Sequence, residues 1–514
     1  MNAQSKDEIT LQSKFEHSHT LKDLDEIKSH GIKEEIKEFI APMIANRIQT
    51  GKIEKVLKEY AEKGFINEED LPSKNQVSDL KRNQKRKESF IGTEGEFIQL
   101  IEKLNPDQLK NEMQAIIIGY NLIPDNFCLV FSSKQLLNNI PLQALSGAPK
   151  YLCLDGTYKL TVLGYPLIVI GTQDINHKFK LLGVALSRHE RAQDYQFVLE
   201  SIKSAVKEFY QYDWEVDFVM SDASNAIHTA VKSAFENSYI HGMCSVHFYR
   251  NVEKKIVSLL EKEDRSSMKE DIKFLENMHS KDLFNCALVL FEKKWAEKAE
   301  GFLDYFYENW INSQFDHWYR GSIPPGFSHT NNGIEGFNNG IKSKYTNWER
   351  LQLQDFFNLV EEMIKDQSEE SSKNEFPRTI NVSKDLWIKA QEMEDDDFLK
   401  EGNKTFYWCR RKDEKKKTKR RKVTKGIITK YSNIKRSKSF DVFKENCCIW
   451  EVNIEDRIML SSCTCPQFLL YHICKHMIVA LLKLEQISIP TEFSTKKAVE
   501  QKKKRGRIPN AEKN

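Results

Sequence analysis

Residues 151–190 read YLCLDGTYKL TVLGYPLIVI GTQDINHKFK LLGVALSRHE, and three runs within them decide the fold. Tyr151–Leu154, Tyr165–Thr172 and Lys180–Leu186 are short, apolar or alternating, and rich in β-branched residues. Turn residues separate them, as between successive antiparallel strands. A helical pattern follows over Ala192–Phe209, then a buried-strand run at Val216–Met220. A helix over Asn225–Phe235 and a short strand near Tyr239 complete the series.

Three strands, helix, strand, helix, strand is the order of a ribonuclease-H-like mixed sheet, so an α/β core is expected. Residues 250–320 are helical and aromatic-rich throughout, which predicts an insertion. Helical patterns resume at 331 and again over Trp348–Lys365, which sets the core domain at 111–365. DQSEESSKNE at 366–375 is a linker by composition, and 366–435 is expected to be linker plus a basic run. The first 110 residues are charged and helical, with Ile53, Val56, Leu57 and Tyr60 at helical spacing. A second, basic helix after Leu71-Pro72-Ser73 carries Lys81, Arg82, Lys85, Arg86 and Lys87, either as a solvated face or as a DNA contact.

Three acids stand where such a sheet needs them. Asp155 follows YLCL on the first strand and Asp222 follows FVMS at the end of the fourth. These two strands are neighbours in that sheet, so carboxylates 67 positions apart can meet. Glu335 lies in TNNGIEGFNNGIK, where Ile334, Phe337 and Ile341 share one helical face. Asn331, Glu335, Asn338, Asn339 and Lys342 share another. Converging carboxylates suit Mg²⁺ or Mn²⁺, hard ions that keep several waters and take substrate phosphates. Two such ions activate an attacking water or 3′-hydroxyl and stabilise the leaving oxygen.

The segments LDGTYKL (154–160), SDASNAIHTAVKSAFENSYIHGMCSVHFYRNVEKKI (221–256) and HTNNGIEGFNNGIK (329–342) resemble the catalytic blocks of Mutator-like element (MULE) transposases. The resemblance covers roughly 150–345, with three blocks in order. It implies a DNA transposase on a ribonuclease-H-like fold, with Asp155, Asp222 and Glu335 as an Asp-Asp-Glu triad. It also matches Cys244 and His247 to the family's Cys-x-x-His element. That pair is half a zinc site; His247 is expected near the metals or the scissile phosphate, and Cys244 in the packing. A domesticated DNA-binding regulator of the same fold, like the far-red-response regulators of plants, is the alternative.

A second cluster closes the chain: Cys463, Cys465, Cys474 and His476 in SSCTCPQFLLYHICKHMIVALL. Three thiolates and an imidazole complete a tetrahedral structural zinc shell, with no position left for water. CCIWEVN and DRIML before it alternate like a hairpin, and MIVALLKL after it is an apolar helix. The pattern resembles the SWIM zinc finger, expected over 436–485. His472 is a substitute ligand by proximity, and Cys447 and Cys448 face opposite sides of a strand. Many relatives carry a further zinc finger before the core, whereas here Cys128 is the only cysteine before Cys153.

Composition limits the partners. Lys415–Lys422 (KKKTKRRK) and Lys502–Arg507 (KKKRGR), the latter in a basic tail over 486–514, read as nuclear-import signals or phosphate contacts. KRGRIPNAEK is similar to a minor-groove AT-hook, except that Ile508 separates Arg507 from Pro509. The first twenty residues lack the apolar stretch of a signal peptide, and no apolar run approaches a membrane span. The ten cysteines then belong in a reducing compartment. The expected partner is DNA at terminal inverted repeats, bound in the nucleus, with a homo-oligomer as an open option.

Overall fold

The computed structural model describes residues 31–45, 48–87, 93–108, 111–236, 239–410, 422–457 and 460–493. The chain divides into two units, 1–89 and 90–514. The described part of the first holds α1 (Glu34–Ala45), α2 (Thr50–Glu62) and α3 (Lys74–Lys87). Ile36, Ile40 and Ile44 recur every four residues on one face of α1 and close a small core with Ile53, Leu57 and Val77. Lys81 sits one turn after Val77 and shares its inward face. Its ammonium is buried and donates to the Ile48 carbonyl at 3.1 Å. Lys81 is therefore a structural lysine and not one of the DNA-facing cations expected on this helix. The side chains of Arg82, Lys85, Arg86 and Lys87 lie outside the described residues, as do 415–421 and 502–507.

The second unit opens with α4 (Glu94–Lys103), closed at its start by reciprocal hydrogen bonds between Thr93 and Glu96. Strands β1 (Ile116–Asn121) and β2 (Cys128–Ser132), then helices α5 (Lys134–Leu137) and α6 (Asn139–Ser146), lead into β3 (Tyr151–Thr157), β4 (Leu167–Gln173) and β5 (Phe179–Ser187). Next come α7 (Ala192–Tyr210), β6 (Phe218–Ser221), α8 (Asn225–Ala234) and β7 (Ile240–Met243). The sheet order is β1-β2-β5-β4-β3-β6-β7. The first five strands in that order pair antiparallel, while β6 and β7 run parallel to β3. Parallel neighbours need a crossover, and α7 and α8 supply it. Strands β1 and β2 extend the sheet beyond the five expected.

Side chains alternate across β3. Tyr151 and Cys153 join one buried cluster, and Leu152 and Leu154 join the other with α7 and α8. Asp155 therefore shares the side of Cys153. Helices α9 (Ser245–Leu259), α10 (Arg265–Glu276), α11 (Lys281–Trp295) and α12 (Glu300–Phe306) form an aromatic subdomain around Phe248, Phe291, Phe306 and Trp318. The chain then returns to the sheet with α13 (Asn332–Gly340) and α14 (Leu353–Lys373).

The sequence-based linker is structured. Helix α14 runs through 366–373 because Ser368 continues its buried face after Ile364, donating to the Ile364 carbonyl and meeting the Ser133 hydroxyl at 2.7 Å. Beyond it lie α15 (Lys384–Gln391), β8 (Phe398–Glu401), β9 (Thr405–Cys409), α16 (Lys425–Ser432) and α17 (Phe440–Asn446). The rest comprises β10 (Ile449–Asn453), β11 (Ser462–Cys463), α18 (Pro466–Tyr471) and α19 (Lys475–Lys483). A second sheet has the order β11-β10-β9-β8, so β8 and β9 belong to the C-terminal module and not to a linker. Cys447 and Cys448 precede β10 rather than lying in it, with Cys447 buried. Among the described residues no helix is long and apolar enough to cross a membrane.

Candidate active site and zinc centre

The β3–β6 register brings the first two acids together. Cys153 pairs with Met220 in parallel, so two residues further along, Asp155 lies level with Asp222. Glu335 stands in the first turn of α13. Asn331, immediately before that helix, fixes where it starts. Its side-chain amide donates to the Leu154 carbonyl at 3.3 Å, and its backbone N–H donates to Cys244 Sγ at 3.3 Å. Asn338, one turn after Glu335, donates from Nδ2 to Asp155 Oδ2 at 2.8 Å. His247, in the first turn of α9, holds Nδ1 3.7 Å from Glu335 Oε1. Ligand atoms of Cys244, His247 and Glu335 lie within 4.8 Å of one another. The Cys244 thiol accepts the Asn331 N–H, and burial pushes its pKa up.

Sequence reading missed Glu190. It follows β5, and its carboxylate lies against Gly156, in the space that a side chain there would take. Tyr195 donates to its Oε1 at 2.8 Å. Nothing in SRHERAQ distinguishes this glutamate from a surface acid. Asn338 had a signal, its place on the Glu335 face, but its bond to Asp155 depends on the sheet.

Burial and then the Asp222 charge push the Asp155 carboxyl up to about 7. Burial also raises Asp222, opposed by His247, and raises Glu190. Asp222 Oδ1, Glu335 Oε1 and Asn338 Oδ1 are buried oxygens that accept no hydrogen bond. His247 Nδ1, beside Glu335, is likewise buried without a hydrogen-bond partner. Buried polar atoms left so are costly unless a cation is the partner, and carboxylate oxygens suit a hard divalent ion. A cleft of about 530 Å³ opens onto Asp155, Glu335 and Asn338, with Lys159, Lys342 and Trp348 along its wall.

The raised pKa carries a stability prediction. Asp155 binds its proton more tightly folded than unfolded, so this stabilisation is complete below its ordinary value of 3.8 and is lost as pH rises through about 7. The loss is about 1.4 kcal/mol per pH unit. Asp155→Asn removes it. Without divalent ions the variant should unfold at a higher temperature than the parent at about pH 8, with the gap narrowing at about pH 5. Differential scanning calorimetry decides, and a variant less stable at both values would contradict the electrostatic reading.

The zinc cluster is assembled by two caps. Cys465 caps α18 and Cys474 caps α19, which places His476 in the first turn of α19 and faces both toward Cys463 on β11. All four are buried, with ligand atoms within 4.8 Å of one another. His476 Nδ1 is 3.9 Å from Cys463 Sγ and 4.0 Å from Cys474 Sγ. A tetrahedron with Zn–S of about 2.3 Å and Zn–N of about 2.0 Å has S···N edges of about 3.5 Å, somewhat shorter than these. Backbone N–H groups of residues 465, 468 and 477 each donate to one sulfur at 3.4 Å, which favours thiolates. Trp408 of β9 packs against the His476 ring at 5.2 Å. His472 lies outside the cluster and packs instead on Gly326.

A short strap joins the two centres. Gly326, at φ +93°, a conformation that favours glycine, donates its N–H to the Leu469 carbonyl of α18 at 3.1 Å, with His472 packed close against it. Three residues on, the His329 carbonyl accepts from Ser245 N–H at 3.0 Å, at the start of α9. The strap ends at Asn331, and the Asn331 carbonyl accepts from Glu335 N–H.

Comparison with known proteins matches both segments. Residues 151–251, which include Asp155, Asp222 and His247, match the model of the MULE transposase domain. Residues 450–485, which include all four zinc-cluster residues, match the SWIM zinc finger. No curated protein matches the chain. The chain thus carries a MULE transposase domain followed by a C-terminal SWIM zinc finger.

Proposed function

We propose that the chain is a DNA transposase that cuts at transposon ends and transfers the strand, with Asp155, Asp222 and Glu335 as its catalytic acids. The supporting observation is that Asp155, Asp222 and Glu335, carried by β3, the end of β6 and α13, lie near enough for their charges to act on one another, two of them with buried oxygens that lack a hydrogen-bond donor. Three antiparallel strands followed by two parallel ones support a ribonuclease-H-like core for it.

Mg²⁺ or Mn²⁺ bound there would activate the attacking water or hydroxyl and stabilise the leaving oxygen. Asn338 orients Asp155 and, as a neutral amide, adds no further repulsion to the acids. His247 stands beside Glu335, with Nδ1 3.7 Å from Oε1. Asn331 anchors the helix that carries Glu335. Zinc at Cys463, Cys465, Cys474 and His476 is structural. DNA at terminal inverted repeats is the proposed substrate, the nucleus the proposed site of action, and a homo-oligomer the proposed working form.

The test is to incubate the purified chain with DNA carrying the element's ends. Cleavage is expected with Mg²⁺ or Mn²⁺ and none with chelator. Because Asp155 must shed a proton to hold a cation, the half-saturating divalent concentration should climb as pH falls below about 7. DNA binding without cutting under any of these conditions would favour the domesticated regulator instead.

A further inference from the structure

Seven residues other than glycine adopt positive φ among the described residues, and three of them cluster on one rim of the acidic cleft: Lys159 (φ 68°), Asn347 (φ 50°) and Trp348 (φ 64°). Left-handed backbone is uncommon for a bulky residue and persists only where the surroundings enforce it. Here the enforcement is visible. The loop after β3 and the turn before α14 are tied by two backbone hydrogen bonds, Val162 N–H to Leu351 O at 2.9 Å and Leu351 N–H to Leu160 O at 2.8 Å. Trp348 N–H closes the turn on the Lys342 carbonyl at 2.8 Å.

What this framework presents is a tryptophan to solvent. Trp348 is 66% exposed and Tyr158, on the facing loop, 52%, although both line the cleft that holds Asp155 and Glu335. The eight tryptophans of the chain are otherwise free to pack into cores, as Trp318 and Trp408 do. Lys159 and Lys342 line the same cleft and give the aromatic rim a positive flank. A rigidly held, exposed indole beside cations matches the chemistry of an unpaired nucleobase with its phosphates: the ring face stacks on the base, and the ammonium groups meet the backbone.

We infer that Trp348 is a stacking platform for an unpaired base of the DNA beside the bond to be cut. The inference rests on the transposase reading for its substrate but not on catalysis. A base that leaves its partner near the cleft would exchange helical stacking for stacking on the indole. Tyr158 would border the same base. DNA with frayed or unpaired ends would then bind more tightly than blunt duplex.

The experiment uses the full chain without divalent ions, with two probes: a blunt duplex, and the same duplex with unpaired nucleotides at one end. Trp348→Ala should weaken binding of the frayed probe by about five- to a hundredfold, the range of one lost base–aromatic stack, and leave the blunt duplex nearly unchanged. Trp348→Phe should retain most of the preference while abolishing the part of the tryptophan quenching that the frayed probe causes. Equal affinity of Trp348→Ala and parent for the frayed probe would overturn the inference, and so would equal losses on both probes. Asp222→Asn tested alongside separates the two readings. Its preference for frayed DNA should persist although it cannot cut, and a parent that shows the preference yet never cleaves would remove the catalytic reading alone.

Discussion

Asp155→Asn, Asp222→Asn and Glu335→Gln should each reduce DNA cleavage by on the order of a thousandfold or more while DNA binding stays within a few-fold of the parent. The substitutions conserve volume and remove one metal-holding charge. A divalent ion contributes several kcal/mol of charge stabilisation at a reacting phosphate, and each ~1.4 kcal/mol is tenfold in rate. The three are not equivalent in their neighbours. Asp155 is held by Asn338, whereas Asp222 Oδ1 and Glu335 Oε1 have no donor in the fold. The checks are cleavage of end-bearing DNA under single-turnover conditions and direct titration of Mn²⁺ into the protein. A variant that cuts at the parent's rate removes its residue from the triad. Weak cutting with normal Mn²⁺ affinity would instead mark a residue that acts on the DNA.

The second large effect concerns zinc. Cys465→Ser or His476→Ala should release the metal and unfold the C-terminal module within the otherwise intact chain. Structural zinc in small domains contributes roughly 10 kcal/mol or more of folding free energy. The module is larger than a minimal finger: Leu386, Trp387, Phe406, Trp408 and Val452 share one core with Met477, Ile478 and Leu481. Loss should accordingly reach β8 and β9 and expose Trp408, which packs on His476. Metal analysis, near-ultraviolet circular dichroism and limited proteolysis of the full chain would record it. A zinc-free chain that keeps α15, β9, β10 and α19 protected from protease would refute the assignment.

Strands β3 to β7 and their helices were legible because each is an apolar run bounded by turns, and the position of Asp155 and Asp222 on them follows from the order alone. The cluster of Cys463, Cys465, Cys474 and His476 was legible because two pairs at fixed spacing need no long-range contact to be recognised. Elements whose identity depends on distant partners were not. Strand β9 pairs with β10 about forty residues later, and nothing local in TFYWC announces that partner. The polar end of α14 reads as linker because one buried serine, Ser368, carries its packing. Lys81 reads as a DNA-facing cation because sequence shows its charge and not its place one turn from Val77. The bond from Asn338 to Asp155 appears only once a helix from the far end of the domain is laid against β3.

The strap from Gly326 to Asn331 bears on how such a chain can be cut down or recombined. Its N-terminal half is fastened to the finger and its C-terminal half to the helix that carries Glu335. A version shortened ahead of Cys463 would leave the Gly326 N–H without the Leu469 carbonyl, while Asn331 would keep its anchors on Leu154 and Cys244. Exchange of the finger between relatives would likewise have to preserve the contact between Gly326 and Leu469. The two segments are separate in sequence, yet selection would have to inherit them as one working part.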